Sequence, residues 1–451
     1  MAKSSDAKED EKLIQILKVL DAKWPESKIE PSLDRIKALV DILGSPQDTF
    51  RSIHIAGTNG KTSTSRMIDS LLQAFELRTG RFTSPHLESP LERISLNGIH
   101  ITPTFFNYTY NDIAPYIDLI DQRSESNGVP LSYFEIMTAI AFAAFADAPI
   151  DVAVLEAGMG GEWDATNVVS SDVAVMMPIG LDHQEYLGET IAEIAATKAG
   201  IFESGKPVVM AHQEMDAAQV LMRKAAEMEA IPLREGLDFG IEKRSLAVGG
   251  QLLTIQGIGG TYEEIFLPLH GRHQGSNAAV ALVTLEAFLG GGSNALDSDV
   301  IREGFANTSS PGRLEIMRRN PTVMIDAAHN AHGAIALSQA LAEEFTFDRV
   351  IAVVAILGDK DVVKFLNELA KVADEIIVTR NSSPRAMPIE DLKRIASDIF
   401  EEGAVSAAPS IAAAIQEAVE KASQPNVSIG VLVTGSVVTA GAARALLKRD
   451  K

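Results

Sequence analysis

The run Gly57-Thr58-Asn59-Gly60-Lys61-Thr62-Ser63 has the residue types to hold a polyphosphate. Glycines at this density let backbone N–H groups gather around an anion, and a helix opening there adds the positive end of its dipole. Lys61 would neutralise the outer phosphates, and Thr62 and Ser63 would offer hydroxyls to a phosphate or a magnesium ion. The general pattern G-x-x-x-x-G-K-[ST] is incomplete, because Ile55 stands at its first glycine. An ordinary turn is therefore the competing reading. Glu156 closes the apolar run that begins at Val152, and a buried parallel strand would project it where α/β sheets hold their ligands. It leads into Ala157-Gly158-Met159-Gly160-Gly161-Glu162-Trp163-Asp164-Ala165-Thr166-Asn167, whose glycines let a ligand approach the backbone. His183 lies in a loop, where polar surface is the ordinary role. Lys198 lies among Ala195, Ala196, Ala199 and Ile201, where a buried ammonium is costly and a snorkelling stem is the simple expectation.

The elements that must position these groups follow from periodicity. Ile53–Ala56 reads as a strand, and Met67, Leu71, Leu72 and Phe75 place the next helix behind the glycine turn. Ser84–Ile94 contains Pro85 and Pro90 and reads as a shaped loop after a strand at 78–83. Thr102–Ser126 reads as a polar, aromatic-rich helix. Ser132 and Glu135 stand at capping-box spacing before an apolar helix that buries Tyr133 and Phe134. A strand at 173–178 leads to His183, and a helix over 190–202 carries Lys198. Toward the N-terminus, residues 1–10 read as a loose tail and 12–20 as a helix. Residues 205–267 read as a peripheral sheet, and Asn277 falls where another helix begins, with Ser276 as a candidate cap. Asn307–Gly312, with Pro311-Gly312, marks a linker. Beyond it, strands at 323–325, 350–356, 375–378 and 429–433 alternate with helices, the pattern of a doubly wound sheet. Arg313 would make a boundary salt bridge and Asn330 a helix cap.

The 451 residues, 46% hydrophobic, are enough for two or three cores. With no cysteine, disulfides, thiolate metal sites and an enzyme thioester are excluded. A net charge of −21 argues against nucleic-acid partners. No apolar run has the length of a membrane span and nothing resembles a signal peptide, so a cytoplasmic protein without membrane partners is expected. Any anion site must then be locally basic against the overall field.

The extended loop Gly57–Ser63 resembles the phosphate loop of the Mur ligase superfamily. Ser84-Pro85-His86-Leu87, Ser132-Tyr133-Phe134-Glu135, Glu156–Asn167, Gly271–Ala279 and Asp326-Ala327-Ala328-His329-Asn330 resemble, in order, segments of folylpolyglutamate and dihydrofolate synthases. Two departures are Ser132 for the usual threonine and Ala331 for the proline after His329-Asn330. Gly358–Asp361 and Ser383–Ala386 echo the family more weakly, with Arg385 a candidate for an anionic tail.

The resemblance implies an α/β, two-domain Mur-ligase-like architecture. A P-loop domain at 1–310 would carry the folate loops, and a smaller Rossmann-like domain would occupy 311–451. It implies ATP at Gly57, Thr58, Asn59, Gly60, Lys61, Thr62, Ser63, Asn277, Arg313, Asp326 and His329. It implies a pterin pocket at Ser132, Tyr133, Phe134, Glu135, Trp163, Asp164 and Ala165. Magnesium would sit in two sites served by Ser84, Glu156 and His183. Lys61, His183 and Lys198 would be the catalytic residues, with Lys198 a candidate for carbamylation and a monovalent cation a further candidate cofactor. The implied reaction joins dihydropteroate or a folate to L-glutamate through an acyl phosphate, consuming ATP in a monomeric enzyme. Two alternatives stay open at this point: a Mur enzyme acting on a cell-wall precursor, and a nucleotide-binding regulator without catalysis.

Overall fold

Strand pairing in the structure, a computed structural model describing residues 2–25, 28, 30–125 and 128–449, shows how the site is assembled. Eight strands form the first sheet: β1 (Arg51–Ala56), β2 (Thr79–Phe82), β3 (Ile94–Leu96), β4 (Ile99–His100), β5 (Val152–Glu156), β6 (Val173–Met176), β7 (Pro207–Met210) and β8 (Ile231–Arg234). Their order is β4-β3-β2-β5-β1-β6-β7-β8, with the β2–β3 and β3–β4 pairings antiparallel and the rest parallel.

Alternation along the strands assigns the faces. Ile53, Ile55, Val152 and Val154 pack with Met67, Ile68, Leu71 and Leu72 of helix Lys61–Ala74 and with helix Arg272–Gly290. Ala153, Leu155 and Phe82 point the other way, toward helices Asp34–Ile42, Pro103–Glu125 and Tyr133–Asp147. Glu156, two residues beyond Val154, therefore belongs to the face of helix Lys61–Ala74. Arg81, in register with Val154, shares that face. A three-stranded antiparallel sheet, β9 (Gly240–Ala247), β10 (Gly250–Gln256) and β11 (Thr261–Leu267), joins the same core through Leu253, Ile255 and Tyr262.

The C-terminal sheet comprises β12 (Glu315–Arg319), β13 (Thr322–Ile325), β14 (Arg349–Val354), β15 (Glu375–Val378), β16 (Val405–Ala407) and β17 (Ile429–Thr434). Its order is β12-β13-β17-β14-β15-β16, parallel except for β12. Helices Ala331–Glu344, Val362–Leu369 and Ile389–Ser397 cover one face, and Ile411–Ala422 with Val437–Arg449 cover the other.

The structure corrects several expectations. Residues 2–10 are part of helix Ala2–Asp21 rather than a tail: Asn107 donates to Glu9, and Leu13, Ile16 and Leu20 seat the helix on the neighbouring helical layer. Within 205–267, β7 and β8 belong to the main sheet and only β9–β11 form a separate one. Ser276 caps nothing, because its helix starts at Arg272 and its hydroxyl donates to Glu235. Short β12 and β16 add to the four expected C-terminal strands. The helix expected to end at Ser126 is described to Glu125; Ser126 lies outside the described residues.

Candidate functional site

The Gly57–Ser63 loop is squeezed as it leaves β1. A Cβ on Gly57 (φ 145°) would stand 2.6 Å from the Cβ of Met177, and one on Gly60 (φ 88°) would stand 2.9 Å from Asn277 Oδ1. Glycine is required at both positions, and Asn277 is thereby placed against the loop. Lys61 opens the helix and curls back, donating from Nζ to the carbonyls of Gly57 (3.0 Å) and Thr58 (3.3 Å). Lys198 donates to the same Gly57 carbonyl at 2.9 Å. It does not snorkel: it is buried, and burial together with the Lys61 charge pushes its amine down to about 7. Two lysines on one carbonyl, with no carboxylate in hydrogen-bond contact among the described residues, make a centre that attracts an anion.

Opposite them, Thr62 Oγ1 lies 3.1 and 3.0 Å from the two oxygens of Glu156. Glu156 is 1% exposed. Burial raises its pKa, against the opposing pull of Lys61, the Thr62 hydroxyl, Arg313 and a Ser84 backbone N–H. Ser84 is thus seated against this carboxylate. Ser63, by contrast, turns its hydroxyl to Ser310 at 3.0 Å and receives a bond from Gln274, so only its backbone faces the loop side.

The C-terminal sheet supplies the other wall. Asp326 accepts from the N–H groups of Leu314 and Ala328, both at 2.8 Å, which fixes the turn carrying Arg313. Burial raises Asp326, and Arg313 opposes that rise. Arg313 makes no ion pair among the described residues; its charge is felt by Glu156 and Asp326 in place of the expected boundary salt bridge. Asn330 caps helix Ala331–Glu344 by accepting from Gly333 and also reaches Asn59 and Asp182, while Asn59 contacts His332 at 3.0 Å. Asp182 gathers Lys360 at 2.6 Å, Asn330 at 3.2 Å and His329 Nε2 at 3.6 Å. Burial would raise Asp182, but His329, His183 and Lys360 hold it far below the usual carboxylate range. His183 starts a short helix in the left-handed region (φ 52°). Burial lowers it to about 4, Asp182 opposes, and Lys360, Lys61 and Lys198 add to the lowering. Arg385 is exposed and paired with Asp359 at 3.2 Å.

The residues expected to line a pterin pocket are brought to one side, in mixed roles. Ser132 and Glu135 form the capping box, and Glu135 also binds Arg35 at 3.0 Å. The Tyr133 ring lies 5.1 Å from the Arg93 guanidinium, and Phe134 lies 5.7 Å from Phe82. A Cβ on Gly158 would strike Phe134 at 2.6 Å, so the glycine loop rests on that ring. Trp163 is partly buried beside Met159. Asp164 is buried and committed to the Met159 and Thr166 N–H groups and the Thr166 hydroxyl; burial raises its pKa. Ala165 is 5% exposed and packs in the core.

The sequence assigns no role to Arg35 or Asp182, carries Lys360 only within the Gly358–Asp361 echo, and gives none to His54, whose Nε2 lies 2.8 Å from Thr166 Oγ1 and whose pKa burial pushes down to about 3. The one signal for His54 was a polar residue inside an apolar strand, Ile53-His54-Ile55.

Comparison with known proteins accounts for this geometry. Residues 119–285 match the Mur ligase middle domain and residues 312–437 the Mur ligase glutamate ligase domain. The chain is 50% identical to the dihydrofolate synthase/folylpolyglutamate synthase of Mycobacterium tuberculosis, covering 97% of this chain and 94% of the relative. It is 36% identical to that of Bacillus subtilis, covering 81% and 84%. The Mycobacterium tuberculosis folylpolyglutamate synthase complexed with ADP superposes with a TM-score of 0.93 at 49% identity, over 98% of this chain and 99% of that one. An Escherichia coli relative in complex with DHPP and ADP superposes with a TM-score of 0.82 at 30% identity, over 97% and 98%. With that coverage at both ends, the chain belongs to the dihydrofolate synthase/folylpolyglutamate synthase family of ATP-dependent ligases, within the Mur ligase superfamily.

Proposed function

We propose that this enzyme joins the carboxylate of dihydropteroate or of a (poly)glutamylated tetrahydrofolate to the amine of L-glutamate, working as a cytoplasmic monomer with its domain boundary at 310/311. The observation that carries the reading is the convergence of Lys61 and Lys198 on the Gly57 carbonyl, opposite Thr62 and Glu156, at the carboxyl ends of β1 and β5. A carboxylate is a poor electrophile, so it first takes the γ-phosphoryl group of ATP, giving an acyl phosphate and ADP. The glutamate nitrogen then attacks the acyl carbon, the C–O bond to phosphate breaks, inorganic phosphate leaves and the amine gives up a proton. Phosphoryl transfer needs positioning and charge compensation more than covalent help. Lys61 and the loop N–H groups bind the phosphates, with Asn277 against the loop and Arg313, Asp326 and His329 facing it from the C-terminal domain.

Among the described residues no three His, Cys, Asp or Glu side chains converge into a ready-made metal cage. Magnesium does not require one, since it is held by one or two protein oxygens together with waters and substrate phosphates. Glu156 with the adjacent Ser84 suits that role, and His183 suits a second ion. Bound there, magnesium would neutralise charge developing on the transferring phosphoryl oxygens. An amine near pKa 7 is about half uncharged at neutral pH, and the uncharged form is the one that adds to carbon dioxide, which supports Lys198 as a carbamylation site. Phe134, Tyr133 and Trp163 supply aromatic surface for a pterin, while Ser132, Glu135, Asp164 and Ala165 hold the elements that present it.

Incubation with ATP, magnesium, labelled glutamate and either dihydropteroate or tetrahydrofolate tests the reading: each accepted substrate gains one glutamate residue. Lys61→Ala should abolish that gain while leaving the unfolding midpoint within a few degrees of wild type. Wild-type turnover in this variant would refute the phosphate assignment.

A further inference from the structure

A cavity of about 380 Å³ lies beside helix Lys61–Ala74, on the flank facing β2 and the β3–β4 turn, with Arg66, Asp69, Gln73, Arg81 and Asn97 in its wall. Its two arginines are formally matched by Asp69 and Glu303, but their hydrogen-bond donors are not all used. Asp69 is already committed to Arg81 Nη1 (2.9 Å), the Thr79 hydroxyl (2.6 Å) and Gln73 Nε2 (2.9 Å). Glu92, whose charge Arg66 feels, spends its carboxylate on the N–H groups of Leu87, Glu88 and Ser89. Glu303, at the rim, is exposed and makes no ion pair among the described residues. Arg66 is only partly exposed and has no hydrogen-bond or ion-pair partner among the described residues. Arg81 is 4% exposed; its Nη2 donates to the Ser95 hydroxyl at 2.9 Å, and its Nε is buried without a partner. Burial, then the neighbouring charges of Arg81 and Arg313, push Arg66 down to about 9. A guanidinium desolvated among like charges is stabilised by an anion that takes its planar donors in pairs. In a chain of net charge −21, two arginines on one cavity wall are a local concentration of positive charge.

We propose that this cavity is a second anion site, separate from the phosphate loop, which takes a small carboxylate- or phosphate-bearing molecule on Arg66 and Arg81. Arg66 lies four residues after Thr62, about 6 Å further along the helix. The site is therefore a helical turn away from the reacting centre, with Arg313 felt by both. Two anions of the reaction have this chemistry: the amino-acid co-substrate and the released phosphate. Their assignment rests on the ligase reading; the site itself does not.

Calorimetric titration of the full chain, saturated with a non-hydrolysable ATP analogue so that the phosphate loop is filled, tests the site with inorganic phosphate and separately with L-glutamate. One of the two should bind at one equivalent. Arg66→Gln should weaken it by about tenfold or more and Arg66→Lys, which keeps the charge but loses the paired donors, by a smaller factor, while the distant Arg234→Gln stays within about threefold of wild type. Without added anion, Arg66→Gln should unfold no earlier than wild type, since it removes an unpaired cation. Binding of phosphate points to the released product and binding of L-glutamate to the co-substrate. Failure of both to bind wild type, or unchanged affinity in a folded Arg66→Gln protein, overturns the site. Loss of glutamate incorporation with intact anion binding would instead count against the ligase reading alone.

Discussion

Glu135 and Glu156 are both buried carboxylates in motifs that open or close a regular element, yet they are held in opposite ways. Glu135 caps its helix, accepts the Ser132 N–H at 2.7 Å and meets Arg35 at 3.0 Å, so its charge is compensated by fixed protein groups. Glu156 meets the Thr62 hydroxyl and a Ser84 N–H, with lysine and arginine charges nearby but no direct ion pair among the described residues. A carboxylate with its partners in place stabilises the fold, whereas one left short of compensation costs stability and is ready for a ligand. Position in a motif does not distinguish the two; their hydrogen-bond partners do.

Substituting the under-compensated carboxylate should have the largest effect. Glu156→Gln keeps the shape and removes the charge, and kcat should fall by roughly a hundredfold or more, corresponding to about 3 kcal/mol of transition-state stabilisation. Its unfolding midpoint should stay or rise, because a buried charge is relieved. A steady-state assay beside a thermal melt reads both, and near-normal kcat would erase the contrast with Glu135.

Glu135→Ala should do the reverse. Leaving Arg35 half-buried without its partner and uncapping the helix should cost about 3 kcal/mol of stability. The folded fraction should keep kcat within a few-fold of wild type. Urea unfolding with activity measured well below the midpoint separates the two quantities. A kcat loss as deep as that of Glu156→Gln would mean that Glu135 touches substrate.

What the sequence made legible, and what it hid, divides along the same line. Gly57–Ser63, the Ser132–Glu135 cap and Glu156–Asn167 are contiguous, and their residue types state a local need: glycine for close approach, a hydroxyl three residues before a carboxylate, a charge at the end of an apolar strand. The compensating contacts are not local. Arg35 reaches Glu135 across 100 positions, Lys198 reaches Gly57 across 141 and Lys360 reaches Asp182 across 178. Those contacts depend on strand order, which periodicity does not encode. For the same reason Ser63 could be read as a ligand hydroxyl, although its partner Ser310 lies 247 residues away. Residues 2–10 looked like a tail because their polar composition hides the continuation of a helix whose seating depends on Asn107.

The effect that is smallest per unit change lies in pH dependence and tests the cost of poor compensation directly. Burial raises Glu156 in the folded chain. Just above the ordinary carboxylate range the folded state therefore binds more protons than the unfolded one, and stability falls as pH rises through that window. Lys198 has the opposite sign on the alkaline side. Its folded value of about 7 lies below the ordinary 10.5, so the unfolded chain binds the extra proton and stability rises between those two pH values. Each group contributes a slope of at most about 1.4 kcal/mol per pH unit inside its window. Glu156→Gln should flatten the acid-side slope and Lys198→Met the alkaline one, each leaving the other in place, as unfolding midpoints across the pH range would show. An acid-side slope unchanged in Glu156→Gln would mean that the carboxylate is already compensated, and the distinction from Glu135 would disappear.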